Sequence, residues 1–320
     1  MKVSIVMCCY NEEKFIDRAI QCVLQQTYTD WELIVSDDCS SDNTVACVEK
    51  YLGDERIRLV RNKTNLGCQR NKNLASLLAK GEVITQLDAD DTCTPDRIQR
   101  QVTVLTQHPE IKICGSNYCI LDQQEKRLYE KMYAADFLVT DFENEYPFWF
   151  PGLMYKTELI EEFGLLPEYF VGSHGEDHYW TIRVNKKYPI YFIKDVLYFY
   201  YINPGSVTNL LTNPRKLIVE ELIKKLIEQQ KDTGTDWLQE GKPEMAREFE
   251  QQLMADRPLM AEKYRIWAAK ALDNGDTSRA AFLLRESFAR KKTNVDFYRT
   301  VWYYIRKRLS GSQQITTIRR

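Results

Sequence analysis

Over residues 3–91 the sequence alternates apolar runs with amphipathic ones, and three of the apolar runs end in clustered polar or acidic residues. Val3 to Cys9 reads as a buried strand. Asn11 is placed to cap a helix in which Phe15, Ala19, Ile20, Val23 and Leu24 recur at helical spacing. Trp31 to Ser36 is a second strand, and Ser40-Ser41-Asp42-Asn43 opens a helix through Val45, Val48 and Leu52. Ile57 to Arg61 is a third strand, followed by a turn at Asn65-Leu66-Gly67 and a helix from Asn71 to Leu78. Glu82 to Leu87 is the next strand. Strands separated by helices pair in parallel and are covered on both faces. Ligands of such sheets gather beyond the carboxyl ends of the strands. Tyr10-Asn11, Asp37-Asp38 and Asp88 to Asp91 all stand at those ends.

The last of these clusters, Asp88-Ala89-Asp90-Asp91, places three carboxylates within four residues. Two carboxylates spaced i, i+2 at a strand end can reach one cation and a diphosphate that the cation bridges. Magnesium and manganese prefer such oxygen ligands and keep room for substrate phosphates. The plainer alternative is a solvated turn whose acids precede a helix starting near Pro95.

Composition narrows the function classes. A chain of 320 residues holds one large or two smaller domains, and 44% hydrophobic residues suffice for a sizeable core. A net charge of −2 argues against a general nucleic-acid binder. The charge is uneven: residues 258–320 carry fourteen Lys/Arg against five Asp/Glu, or +9, which leaves −11 elsewhere. All nine cysteines lie between Cys8 and Cys119 without a Cys-x-x-Cys pair, as expected of small buried thiols in a reducing compartment. His174 and His178 are spaced i, i+4 but lack the rest of a zinc pattern. The N-terminus reads as a strand, not a signal peptide, and no apolar run is long enough to span a bilayer. The expected location is cytoplasmic, with peripheral attachment at the inner face of the membrane left open. No Gly-x-Gly-x-x-Gly follows the first strand and no P-loop signature occurs.

Taken in order, the motifs resemble glycosyltransferase family 2. They are Val6-Met7-Cys8-Cys9-Tyr10-Asn11-Glu12, the stretch Gln25 to Val35, Asp37-Asp38-Cys39-Ser40-Ser41-Asp42-Asn43-Thr44, and Asn65-Leu66-Gly67 with Arg70-Asn71. The acidic cluster, Pro95-Asp96-Arg97 and Gly175-Glu176-Asp177 complete the set, which spans roughly residues 2 to 205. Cys9 and Cys39 stand where the family carries other small residues. The resemblance implies the GT-A fold, a Rossmann-like mixed, mainly parallel sheet with helices on both faces. It implies an inverting enzyme that moves a sugar from a nucleoside diphosphate donor, uridine diphosphate first, to an acceptor hydroxyl on a glycan or lipid-linked acceptor. Surface-polysaccharide synthesis is the setting it suggests.

Carried over residue by residue, the resemblance gives Cys9, Tyr10, Asn11, Asp38, Arg70, Asp88 and Ala89 to the nucleotide sugar. Tyr10 would stack on the base and Asp38 would accept its ring N–H. Asp90, with Asp88, would hold Mn2+ or Mg2+. Asp177 would be the base that deprotonates the acceptor, with Glu176 beside it. Trp149 and Gly152, in an aromatic-rich segment, fall on the acceptor side, although core packing is an alternative for them. Ser206-Val207-Thr208 falls where the family meets the donor phosphates.

The pattern changes after residue 209, so we expect a catalytic domain over 1–209 and a smaller all-α region over 210–320. Asn213-Pro214 starts a long helix, and residues 228–247 read as a polar stretch that is either a loose linker or a hairpin. Two Ala-rich helices joined at Asn274-Gly275-Asp276 look like one tetratricopeptide-type hairpin. The last stripe, Tyr298, Val301, Trp302, Ile305 and Leu309, is flanked by Arg299, Arg306, Lys307 and Arg308. It suits either an anionic membrane surface or docking onto the hairpin. The rival to an enzyme is a non-catalytic sugar-nucleotide-binding adaptor that uses these helices for protein contacts.

Overall fold

The structure is a computed structural model describing residues 1–143, 150–203, 213–273, 275–291 and 295–309. Trp149, Asn274 and Ser206-Val207-Thr208 lie outside the described residues. The chain divides into two compact units, Met1–Val171 with Glu176–Asn203, and Gly172–Gly175 with Pro204–Arg320.

In the first unit, β1 (Val3–Cys9) and β2 (Trp31–Asp37) are buried almost throughout, as strands covered on both faces must be. Helices α1 (Ile16–Leu24) and α2 (Thr44–Glu49) connect β1 to β2 and β2 to β3 (Ile57–Arg61), and α3 (Cys68–Leu77) leads to β4 (Val83–Gln86). Pairing is parallel: Val3 lies opposite Trp31 on one side and Val83 on the other, and Leu33 opposite Ile57. The strand order β3-β2-β1-β4 reverses direction after β3. Right-handed crossovers therefore put α1 and α2 on one face and α3 on the other.

Then follow β5 (Thr92–Cys93), α4 (Arg97–Gln107), β6 (Ile113–Leu121), β7 (Arg127–Glu130), β8 (Phe137–Val139), β9 (Met154–Lys156), α5 (Glu158–Phe163), α6 (Glu176–Asn185) and β10 (Ile190–Tyr201). The sheet continues β4-β9-β6-β10-β5, with β9 antiparallel to both of its neighbours and β6 parallel to β10. It is mixed, as expected, with its parallel pairing concentrated in the first four strands. Two local expectations are corrected. Asn11 is no helix cap; its φ is 58° and α1 begins only at Ile16. Tyr191 to Ile193 and Val196 to Ile202 are not separate strands, because register shifts between Ile193 and Tyr198 let β10 bulge and run on.

One apolar cluster, including Ile5, Met7, Ile16, Leu33, Ile98 and Leu105, lies between the sheet and its helices. Beneath β4 sits Arg97, only 1% exposed. It donates to Thr85 Oγ1 at 2.6 Å, Gln86 O at 3.1 Å and Pro151 O at 2.6 Å. Gln101 Nε2 donates to Gly152 O at 2.8 Å. Gly152 is therefore buried in the turn Phe150–Gly152, with its carbonyl already bonded. This is the packing that the sequence offered as the alternative to an acceptor-side place for Gly152.

In the second unit, Asn213 Oδ1 accepts from Arg215 N–H at 3.0 Å and Pro214 begins a short 3-10 turn, as the capping pair predicts. Helix α7 (Val219–Thr233), α8 (Pro243–Ala255), α9 (Arg257–Asp273), α10 (Thr277–Arg290) and α11 (Val295–Leu309) follow. Of the two readings of 228–247 the structure takes the hairpin and not the loose linker. The stretch contains the end of α7 and the start of α8, joined by a turn in which buried Asp236 accepts from the N–H of Leu238 and Gln239 at 2.8 and 3.1 Å. Arg215 grips Glu250, which is 4% exposed, through Nε and Nη2 at 2.9 Å each. Helices α9 and α10 form the expected hairpin, with Ala268, Ala271 and Ala280 packed among Tyr264, Leu272 and Leu284.

Gly81, at the entry to β4, leaves no room for a methyl: a Cβ would stand 2.6 Å from Ser4 N and 2.7 Å from Lys2 O, both backbone atoms of the β1 edge. Gly81→Ala must push β1 and β4 apart. We expect a loss of about 3 kcal/mol in denaturant unfolding, with no change in the slope of the transition.

Candidate active site

The carboxyl ends of β1 and β2 are tied together by the polar residues that the sequence places there. Asn11 N–H donates to Ser40 Oγ at 2.9 Å, and Asn11 Oδ1 accepts from Ser41 N–H at 2.8 Å. The left-handed backbone of Asn11 thus serves to clasp two loops. Glu12 N–H donates to Thr44 Oγ1 at 2.7 Å and Glu13 N–H to Asp42 Oδ2 at 3.1 Å. Cys9 is buried, its thiol directed at Ser36 O and Asp37 Oδ1, and its carbonyl accepts from Asp38 N–H at 2.9 Å. Its side chain is therefore turned into the protein. Tyr10, by contrast, is 47% exposed at the very end of the strand.

Asp38 is buried and already engaged. Oδ1 accepts from Asn62 Nδ2 and Leu66 N–H at 2.9 Å each, and Oδ2 from Gly67 N–H at 2.8 Å. Gly67 has a φ of 85°, which lets the turn point its N–H inward. Of roughly four acceptor directions on a carboxylate, three are filled, so Asp38 shapes this loop at least as much as it can read a base. Asn71 completes the support. It donates to Ser36 O at 2.8 Å and accepts from Ser36 Oγ at 2.6 Å. Arg70, exposed on α3, pairs with Glu168 at 3.2 Å.

The acidic turn divides its three carboxylates by environment. Asp91 is fully buried; Oδ2 lies 2.6 Å from the Tyr198 hydroxyl and Oδ1 accepts from Tyr201 N–H at 2.9 Å. Burial first, then Asp90 and Asp88, push its carboxyl far above the ordinary range. Its work is to pin the turn to β10. Ala89 is buried beside it. Asp88 pairs with Lys72 Nζ at 3.1 Å, the two side chains being 28% and 13% exposed. Burial alone would lower the Lys72 ammonium, but Asp88, then Cys68 and Cys8, outweigh it and hold the group well above the usual lysine value. Asp90 is pushed up to about 6 by burial and by Asp88. Its carbonyl accepts from Arg18 at 2.7 Å and its Oδ2 from Asn203 at 3.4 Å.

Glu12 and Lys72 are the two residues to which the sequence reading assigned no role. Burial, then Asp90, Asp88 and Asp42, raise the Glu12 carboxyl to about 8. Its buried Oε2 has no hydrogen-bond partner. The available signal was position alone: Glu12 ends the first motif, and Lys72 falls on the helix turn after Arg70. Asp177 sits in the first turn of α6, with Oδ1 accepting from His178 N–H at 2.7 Å, and Glu176 is buried next to it. Cys68, at the start of α3, joins the two halves of the site. The residue is exposed at the surface, and its thiol is raised to about 11 by loss of solvent around the sulfur first, with Lys72 opposing and Asp88, Glu176 and Asp177 adding to the rise. The fields of Asp177 and of Asp88 both reach Cys68.

Two outcomes follow. Carboxyls whose folded pKa exceeds the unfolded value bind protons on folding, so they stabilise below the ordinary carboxylate range and that stability is lost as pH rises. With Asp90 near 6 and Glu12 near 8, thermal unfolding without added metal should show stability falling from about pH 5 to about pH 8. Glu12→Gln should flatten the upper part of that slope. In a double-mutant cycle, Lys72→Met and Asp88→Asn should couple by about 1–3 kcal/mol in unfolding free energy.

The chain is similar to several known proteins. The chain is 38% identical to the Escherichia coli UDP-Glc:alpha-D-GlcNAc-diphosphoundecaprenol beta-1,3-glucosyltransferase WfgD, over 58% of this chain and 70% of that one. It is 35% identical to EpsE of Bacillus subtilis (strain 168) over 38% of its own length, and spans only 45% of EpsE. Among solved structures, S. aureus TarS 1-349 in complex with UDP-GlcNAc superposes with a TM-score of 0.63 at 19% identity, covering 98% of this chain and 93% of that one. That likeness shows a shared GT-A fold. Residues 4–168, just over half of the chain, match glycosyl transferase family 2. With strand-end carboxylates, fold and sequence in agreement, the chain belongs to that family.

Proposed function

We propose that the protein is an inverting, metal-assisted glycosyltransferase that moves a sugar from a uridine diphosphate donor to a hydroxyl of a lipid-linked glycan, in the synthesis of a bacterial surface polysaccharide. The observation that carries this reading is the set of acids at the carboxyl ends of β1 and β4: Asp88 paired with Lys72 at 3.1 Å, Asp90 beside it, and Glu12 with a buried Oε2 that has no hydrogen-bond partner. The chemical classes of donor and acceptor are supported by the names of WfgD and of the TarS complex.

The obstacle in such a reaction is charge, since a diphosphate departs while the anomeric carbon turns positive. Among the described residues no three His, Cys, Asp or Glu side chains enclose a metal by themselves. Asp90 and Glu12 nonetheless fit one. Both are crowded by like charge, and Glu12 Oε2 is buried without a donor. One or two carboxylates completed by substrate phosphates are how magnesium and manganese are held. A cation bound there would serve as a Lewis acid for the leaving diphosphate. Lys72 keeps Asp88 paired, so that only part of the acidic turn is left to the cation. Tyr10 offers its exposed ring to the base. The exposed Arg70–Glu168 pair is weak enough to be exchanged for a phosphate. At Asp177, His178 N–H orients Oδ1 and leaves Oδ2 to take the proton of the acceptor hydroxyl.

A panel of nucleotide sugars, read by thermal shift with and without manganese and by transfer to a soluble acceptor, tests the reading. A uridine diphosphate sugar should stabilise the fold most, and manganese should enhance the shift. Asp177→Asn should cut transfer about 100- to 10,000-fold while keeping the donor-induced shift. Wild-type turnover by that variant would remove Asp177 from its role. Donor binding by the native chain without any turnover would favour the adaptor instead.

A further inference from the structure

Helix α11 has two apolar faces, and only one of them is used by the fold. Phe297 and Thr300 turn inward, 9% and 5% exposed, with Val301 and Tyr304 also against the hairpin. Phe297 meets Phe288 at 5.7 Å, Arg265 donates to Thr300 Oγ1 at 3.2 Å, and Tyr303 donates to Asp273 at 2.7 Å. Those contacts answer the docking expectation. On the other side, Val295, Tyr298, Trp302 and Ile305 are 67%, 58%, 68% and 40% exposed. Their spacing of three, four and three residues puts them in one stripe. A single exposed apolar residue needs no explanation, but an aligned stripe with a tryptophan at its centre marks an interaction surface.

The border of the stripe identifies the partner. Arg299 and Arg306 follow Val295 and Trp302 by one helical turn, and Lys307 and Arg308 complete the basic end. The one acid of the helix, Asp296, is paired to Arg299 at 3.1 Å. Basic residues in a last turn complement the helix dipole, which accounts for none of the exposed aromatics. Aromatic rings at the level of arginines, with no uncompensated acid, match the interface of an anionic bilayer, where ring bodies sit among lipid chains and cations meet phosphates. Among the described residues no helix is long and apolar enough to cross a membrane, so a surface contact is the means of attachment this unit offers.

We infer that the Val295-Tyr298-Trp302-Ile305 face of α11 lies on an anionic phospholipid surface. The use of that contact, to bring the site to a lipid-linked acceptor, rests on the function proposed above; the binding itself does not. Flotation of the full chain tests it with vesicles of phosphatidylcholine alone or mixed with phosphatidylglycerol. The native protein should float with the anionic vesicles only, and less so as salt shortens the screening length. Tyr298→Ser/Trp302→Ser and Arg306→Gln/Arg308→Gln should each lose about tenfold or more in vesicle affinity, while keeping the native melting temperature and donor-induced shift. Absence of flotation, equal flotation on neutral vesicles, or variants that bind like the native chain would overturn the inference. So would light scattering that shows a dimer converted to monomer by Trp302→Ser, since a second copy would then cover the face. The vesicles contain no acceptor, so a chain that transfers sugar without floating sinks this inference alone, and one that floats without transferring sinks only the function.

Discussion

The hydrogen bonds that Asp91 accepts from Tyr198 and Tyr201 are what the site depends on. The turn that leaves β4 carries three like charges and would otherwise spread to separate them. Burying one carboxyl against β10 disfavours its charged form and fixes the backbone of the turn at the same time. Asp88 and Asp90 are then presented in one direction from a rigid strand end. The β10 bulge that carries the chain on to Tyr198 and Tyr201 is part of the same device.

Around that anchor the electrostatics are unbalanced by construction. Lys72 answers Asp88, but Asp90 and Glu12 are left with burial and like charge. A protein that is only structural has no reason to keep acids in such surroundings, because each costs folding stability near neutral pH. A site for a divalent cation and a diphosphate does have a reason, since both charges are supplied by what binds. The helical unit repeats the pattern in apolar terms: α11 spends one face on packing and leaves another uncovered.

Much of the first unit was legible because burial on both faces writes itself into continuous apolar runs. Val3 to Cys9, Trp31 to Ser36 and Ile57 to Arg61 appear as strands within a residue of their predicted limits. Elements defined by a distant partner were not legible. The three residues of β9 have no period to read, and they are a strand only because β4 and β6 stand on either side. Residues singled out by their spacing also carry bonds that spacing does not announce. Asn11 clasps a loop and caps no helix, Asp38 spends most of its acceptors on the Leu66-Gly67 turn, and Gly152 is packed under β4. Spacing along the chain reports where a side chain starts and says nothing of which group from far away reaches it first.

By itself, the order of residues determined the alternation of strands and helices, the family, and the gathering of acids at one edge of the sheet, because each is written in local periodicity or short motifs. Only the tertiary structure decided how the acids differ. Asp91 became an anchor, Asp88 half of an ion pair, and Asp90 and Glu12 the carboxylates in which burial and like charge prevail. Those differences come from Tyr198, Tyr201 and Lys72, whose approach depends on the closed sheet and on helix α3, and long-range proximity of that kind leaves no trace in sequence spacing.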